Sequence, residues 1–185
     1  MRRAFTAIFT FVLCLFSMEV SSQIQTGEWK SMLSYHEARK AIKAFGRIYV
    51  LANGSLYSYD TADSSVKTYS KVDYLSDTGI ADIEWCGTEK AVVIGYANGN
   101  IDLLYEDDNV YNITDLFLSS LSDKSIYTLT VVNNKTYIST AFGIVVLDVV
   151  KKQIDNSYFI EGTPNSTVLH KGILFCATNN GTYYG

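Results

Sequence analysis

The feature that most constrains this chain is a short turn sequence that recurs at a nearly constant interval. Asn-Gly pairs occur at Asn53-Gly54, Asn98-Gly99 and Asn180-Gly181, and Phe142-Gly143 is a looser copy. The four glycines lie 45, 44 and 38 residues apart. Tight β-hairpins favour Asn-Gly because their turn residues need positive φ, and a glycine alone supplies one such position. We therefore predict that these eight residues are structural turns.

Short apolar runs rich in β-branched and aromatic residues flank the turns. Residues 48–51 and 56–60 surround the first turn, and residues 92–94 and 101–105 surround the second. Their length and composition predict β-strands, and each repeat has room for two more. A period of about 40 to 50 residues with several short strands is typical of β-propeller blades. The predicted fold is all-β, a propeller of four-stranded antiparallel blades, with about four blades present in an incomplete ring.

The first 22 residues differ from the repeats. Arg2 and Arg3 precede an apolar run over residues 4–18, and Val20 and Ser22 occupy the −3 and −1 positions of a cleavage site. The run is too short to span a membrane, so it predicts a secretory signal peptide over 1–22. The remaining 23–185 is then a partial β-propeller domain without a transmembrane segment, exported to the periplasm or the cell surface.

The three cysteines leave alternatives open. A lipoprotein signal at Cys14 is the weaker interpretation of the leader, because bulky Leu13 stands where such signals have a small residue. Cys86 and Cys176 occupy different places in the repeat, so the repeat does not bring them together. Buried free thiols are favoured over a disulfide, although an oxidising compartment permits one.

No residue pattern predicts a catalytic, cofactor-binding or metal site. His36 and His170 are the only histidines, and we expect one in a polar entry segment and the other at a strand end. Residues 106–108 lack the spaced ligands of a calcium loop and predict a solvated turn. Asp60 and Asp148 end equivalent strands, where they either stabilise turns or form a catalytic pair. The net charge of −4 without a basic cluster argues against nucleic-acid binding.

Longer stretches resemble a known family. "GYANGNIDLL" (95–104) and "YISTAFGIVVLD" (137–148) are the most specific pieces, and the likeness covers the chain after its leader. These residues resemble the PorZ N-terminal β-propeller family of the type IX secretion machinery of Bacteroidetes. The resemblance implies two propellers of about seven blades each and a surface-directing β-sandwich. It also implies a non-catalytic assembly role with protein partners and lipopolysaccharide or another glycan, and no cofactor.

A second interpretation is the oligosaccharide-sensing periplasmic propeller of a two-component regulator. The hairpins "YVLANGSL" and "VIGYANGNI" lack the Trp and Gly-Thr of those repeats, so this interpretation is weaker. A propeller glycosidase or lyase lacks any supporting carboxylate or histidine arrangement.

The length of the chain yields a further expectation. Four hairpins are too few for a seven-bladed ring, so we expect a fragment with exposed blade faces near 48–59 and 173–184 and a tendency to self-associate. A closed four-blade ring, with "EWKSMLSY" (28–35) as the missing outer strand, is the alternative.

Overall fold

The computed structural model describes residues 34–184, and the predicted signal peptide and its cleavage site lie outside this range. In chain order the strands are β1 (Ala38–Ala44), β2 (Arg47–Ala52), β3 (Ser55–Asp60), β4 (Val66–Tyr69), β5 (Ile80–Cys86), β6 (Ala91–Tyr96), β7 (Ile101–Leu104), β8 (Val110–Ile113), β9 (Ile126–Val132), β10 (Lys135–Thr140), β11 (Gly143–Asp148), β12 (Gln153–Phe159), β13 (Pro164–His170), β14 (Ile173–Thr178) and β15 (Gly181–Tyr184). The described part of the chain contains no helix with the length and apolar character needed to cross a bilayer.

The strands form four antiparallel sheets in which each strand pairs with its neighbours in the chain. Sheet 1 is β1 to β4, sheet 2 is β5 to β8, sheet 3 is β9 to β12 and sheet 4 is β13 to β15. The first strands of successive sheets contact one another, β1 with β5, β5 with β9 and β9 with β13. The ring is not closed. This arrangement confirms the predicted all-β propeller with an incomplete ring.

The repeated turn sequence joins the second and third strands of each sheet. In sheet 1, Asn53 (φ 46°) and Gly54 (φ 70°) are both left-handed and connect β2 to β3 directly. In sheet 2, Gly99 (φ 89°) takes the left-handed position, and the Asn98 side chain accepts a hydrogen bond from the backbone N–H of Asn100 (3.0 Å). An Asn side chain that bonds two residues ahead stabilises such a turn.

The turns of sheets 3 and 4 lie one residue earlier than the prediction that included Gly143 and Gly181. Gly143 pairs with Thr140 and begins β11, so Ala141 and Phe142 form the turn. In the same way Gly181 begins β15, and Asn180 belongs to the turn before it. Both glycines have similar backbone angles, φ 145° at Gly143 and φ 141° at Gly181.

The core lies between the sheets. One cluster joins sheets 1 and 2 and includes Tyr49, Leu51, Ile83 and Ile94. A second cluster joins sheets 2 and 3 and includes Val93, Leu103, Ile138 and Leu147. Strand β6 supplies Ile94 to one cluster and Val93 to the other, because successive side chains of a strand point to opposite faces. Sheet 2 is consequently buried on both faces.

The outward faces of sheets 1 and 4 are more open. Val66 in β4 is 62% exposed, and Val168 in β13 is 56% exposed. Part of the sheet 1 face is covered by Tyr35, whose ring packs edge-on against Tyr57 at 5.6 Å. Two cysteines fall within residues 34–184, Cys86 in β5 and Cys176 in β14, and both are buried and free.

Candidate functional site

The first strands of all four sheets line one cleft. Its volume is about 320 Å³, and its lining residues come from β1, β5, β9 and β13, with Leu51 of β2. A wider cavity of about 670 Å³ shares Arg39, Ala81 and Tyr127 with it and extends to Asn53 and Gly54. We call the two together the axial cleft. The first predicted turn therefore borders this site.

A β-bulge recurs in the first strand of every sheet. The pairing register of each of these strands skips one residue near its start, and the four skipped residues are Arg39, Ala81, Tyr127 and Asn165. All four line the axial cleft. A bulge leaves one residue unpaired, bends the strand and re-aims its side chain. The repeat thus contributes one bulged side chain from each sheet to the same cleft.

A buried carboxylate connects three sheets beside the cleft. Asp82 of β5 accepts a hydrogen bond from the backbone N–H of Leu129 in β9 (2.8 Å). The same oxygen accepts a hydrogen bond from Lys40 Nζ in β1 (3.0 Å). Asp82 is only 6% exposed, and burying a charge is favourable only when it is paired and hydrogen-bonded. The carboxylate is thus engaged in joining sheets 1, 2 and 3.

Lys40 is paired with two carboxylates. Its Nζ lies 3.0 Å from Asp82 and 2.7 Å from Glu84 Oε2. Burial alone would lower the pKa of Lys40, but the hydrogen bond to Glu84 and the charge of Asp82 outweigh it, and the pKa is raised. Lys40 therefore stays protonated and paired.

Other polar groups of the cleft are not engaged in this way. Arg39 is exposed, and within residues 34–184 its guanidinium makes no ion pair. Tyr127 is 39% exposed. The Thr128 Oγ1 atom is buried and has no hydrogen-bond partner among the described residues. Arg39 and Tyr127 can therefore bind a polar ligand, whereas the Thr128 hydroxyl is inaccessible and the one buried carboxylate of the cleft already accepts from two donors.

The acidic residues considered as catalytic or calcium-binding candidates have structural contacts. Asp60 and Asp148 each pair with a basic residue directly across the hairpin, Arg47 at 3.1 Å and Lys135 at 3.0 Å. Each also accepts a backbone N–H from the turn that follows, at 2.9 and 3.0 Å. They lie in sheets 1 and 3, so the two carboxylates do not form a pair. Their geometry is that of turn stabilisers.

The remaining sequence candidates also lie apart from the cleft. Residues 106–108 form the turn between β7 and β8, and Asp108 pairs with Lys67 of sheet 1 at 2.5 Å. His36 precedes β1, His170 ends β13, and both are exposed. No group of three metal-ligating side chains occurs among residues 34–184.

Sequence reasoning did not identify the cleft residues. Arg39, Tyr127 and Asn165 are the bulged residues of β1, β9 and β13. An alignment of the first strands of the four sheets would have shown that these residues occupy equivalent positions. The cue is weak because Ala81 holds the same position in sheet 2.

The comparison with protein families agrees with the fold. The family described as "TSS9, PorZ, N-terminal beta-propeller domain" matches residues 48–185. A comparison with curated proteins found no match.

Three solved structures show the range of similarity. PorZ of Porphyromonas gingivalis, an essential bacterial surface component of its type IX secretion system, is 31% identical with a TM-score of 0.77, over 86% of this chain and 22% of PorZ. The extracellular domain of BT4673 from B. thetaiotaomicron, described as a hybrid two-component system, is 18% identical (TM-score 0.69), over 85% of this chain and 22% of that one. The computationally designed protein Ika4 is 13% identical (TM-score 0.63), over 84% of this chain and 94% of Ika4.

The last two likenesses, at 18% and 13% identity, concern the fold alone. The chain spans about a fifth of the length of PorZ. The residues that carried the family resemblance, 95–104 and 137–148, fall within the matched range. With three quarters of its length matched, this chain belongs to the PorZ N-terminal β-propeller family.

Proposed function

We propose that this protein is a non-catalytic, exported binding component of type IX secretion that acts at the cell surface. The observation that carries the proposal is the family match over residues 48–185, joined to 31% identity with PorZ over 86% of the chain. PorZ is described as a surface component of that secretion system. Its role comes to this chain as a proposal, because the chain spans only part of PorZ.

The described geometry supports binding rather than catalysis. Asp82, the buried carboxylate of the axial cleft, is held by two donors, and Lys40 is held between two carboxylates. General acid–base catalysis needs a titratable group within hydrogen-bond reach of the substrate. The Asp82 carboxylate and the Lys40 ammonium are instead paired with each other. The partners that fit the proposal are proteins of the secretion and attachment complex and a glycan such as lipopolysaccharide.

The second candidate is a periplasmic sensor propeller. The fold likeness to the extracellular domain of BT4673, with a TM-score of 0.69, favours it. At 18% identity this likeness concerns the fold alone, so it ranks below the secretion role.

Affinity purification from the native bacterium after cross-linking in intact cells separates the two roles. The tagged full-length gene product should capture outer-membrane and surface proteins of the secretion system, above the level captured by an unrelated tagged exported propeller. Capture of an inner-membrane histidine kinase in their place would support the sensor. Capture equal to that of the control would overturn the secretion role.

A further inference from the structure

We propose that the axial cleft binds a small organic carboxylate, with the Arg39 guanidinium as its anion-recognising group. Nothing in the family match or in the related structures assigns a ligand to this cleft. The proposal deepens the binding role proposed above and rests on it, since a cleft with no binding role would have no ligand.

One cation of the cleft is available to an anionic ligand. Lys40 is paired with Asp82 and Glu84, whereas Arg39, the residue before it in β1, makes no ion pair within the described chain. A guanidinium presents N–H donors in a planar fork that matches a carboxylate. Arg39 is therefore the cation left available to a ligand.

The number of charges limits the ligand to a single negative charge. Asp82 and Glu84 lie beside Lys40, and Glu37 lines the wider part of the cleft. A dianion or polyanion would meet one available cation and these nearby carboxylates, and like charges at close range repel. A monocarboxylate matches the arrangement better than a phosphate dianion does.

The bulges give the cleft its shape and its other contacts. Four sheets each place one bulged residue there, and this puts Tyr127 and Asn165 around the same cleft as Arg39. The half-exposed Tyr127 ring offers an apolar face and a hydroxyl. The narrower part of the axial cleft, with a volume of about 320 Å³, lies at the lower end of small-ligand sites.

A carboxylate with several hydroxyls, such as a uronic acid, has this chemistry, and so does the C-terminal end of a peptide. The two sources share the carboxylate and differ in the rest of the ligand. Each has a neutral counterpart that removes the charge while keeping the shape: galactose for galacturonate, and the amide for the free acid of acetyl-dialanine.

Calorimetric titration of the purified full-length protein with these four probes tests the proposal. We expect at least one acid to bind about tenfold or more tightly than its neutral counterpart, as hydrogen bonds to charged groups imply; the acid that does so identifies the source. Arg39→Gln should lose this preference and Arg39→Lys should keep part of it. The control Lys43→Gln removes an exposed cation of the same strand that does not line the cleft, and it should bind like the wild type.

Three results would overturn the proposal. These are equal affinity for acid and neutral probe, no heat with any probe at millimolar concentration, or an Arg39→Gln variant that folds normally by circular dichroism and still binds the acid. Because this measurement uses purified protein and the secretion role is tested in cells, failure of the ligand proposal can be distinguished from failure of the secretion role.

Discussion

The carboxylate of Asp82 accepts a hydrogen bond of 2.8 Å from the backbone N–H of Leu129, so a side chain of the second sheet satisfies a backbone group of the third. Both residues are buried, Asp82 at 6% and Leu129 at 4% exposure. A buried N–H that loses its acceptor costs the full desolvation penalty of that group. The contact therefore makes the packing of two successive sheets depend on one residue beside the axial cleft.

Replacing Asp82 tests this dependence. We expect Asp82→Ala to lower the free energy of unfolding by about 2–3 kcal/mol, because it leaves the Leu129 N–H without an acceptor and Lys40 with one partner fewer. Asp82→Asn keeps an acceptor oxygen and should cost less. The control Glu84→Gln removes the other carboxylate facing Lys40, which is 29% exposed, and should cost under about 1 kcal/mol. Urea denaturation measures all three, and equal costs for Asp82→Ala and Glu84→Gln would contradict the finding.

Two threonines of β10 form a matched pair for measuring the cost of a buried hydroxyl. Both are fully buried, but Thr136 Oγ1 has no hydrogen-bond partner among the described residues, while Thr140 Oγ1 donates to the carbonyl of Gly143 at 2.9 Å. Valine has nearly the same shape. We expect Thr136→Val to be neutral or to raise the melting temperature, and Thr140→Val to destabilise by about 1 kcal/mol. The changes in melting temperature of the two variants, relative to the wild type, should differ in sign or size. Identical changes would contradict the difference in hydrogen bonding between Thr136 and Thr140.

Gly143 is the position in the repeat where the backbone leaves no room for a side chain. A Cβ there would lie 2.0 Å from the carbonyl oxygen of Tyr158, because β12 runs beside the start of β11. Gly181 has the same place in sheet 4 and a similar φ, but no atom of the described residues lies within 4 Å of its Cβ position. We expect Gly181→Ala to cost about 1–3 kcal/mol from backbone strain alone, and Gly143→Ala to cost clearly more.

Chemical denaturation of the two alanine variants measures this difference. The comparison holds the backbone conformation nearly constant and changes only the crowding by the outer strand. If Gly143→Ala were no more destabilising than Gly181→Ala, the close approach of Tyr158 would be wrong.

The Asp148 carboxylate makes the stability of sheet 3 depend on pH. The pKa of Asp148 is lowered because the backbone N–H of Lys151 donates to it and Lys135 lies 3.0 Å away, although burial opposes this. A carboxyl whose pKa is lower in the folded state stabilises the fold above its unfolded pKa, which is about 4, and that contribution is lost as the pH falls through the folded pKa. We expect the melting temperature of the wild type to fall as the pH drops below about 4.

The variant Asp148→Asn isolates this effect. It should melt lower than the wild type at neutral pH and show a weaker fall in acid, so the two curves converge at low pH. Asp107→Asn, in the exposed turn between β7 and β8, controls for the loss of one acidic charge elsewhere. If the melting temperature of Asp148→Asn falls in acid as steeply as that of the wild type, the Asp148 carboxylate does not cause the fall.

The fold could be predicted from the sequence because the turn residues and the apolar runs that specify it are local and recur in each repeat. Gly54 and Gly99 lie at turns, and the apolar runs beside them alternate with the period of a strand. The turns of sheets 3 and 4 differ by one residue from the prediction, because Gly143 and Gly181 pair with the preceding strand as the first residues of β11 and β15.

The cleft could not be predicted in the same way. The bulges at Arg39 and Tyr127 are properties of register between paired strands, and no single strand sequence shows register. The role of Asp82 depends on Leu129, 47 residues further along the chain. Contacts of this range depend on how the sheets pack, which the repeat period does not specify.

We propose that this protein serves type IX secretion as a binding component. The most direct test is to delete its gene in the source bacterium and to measure the fraction of secreted cargo that stays attached to the cell surface. We expect deletion to lower the attached fraction and the wild-type gene to restore it. Unchanged cargo export and attachment in the deletion strain would rule out this role.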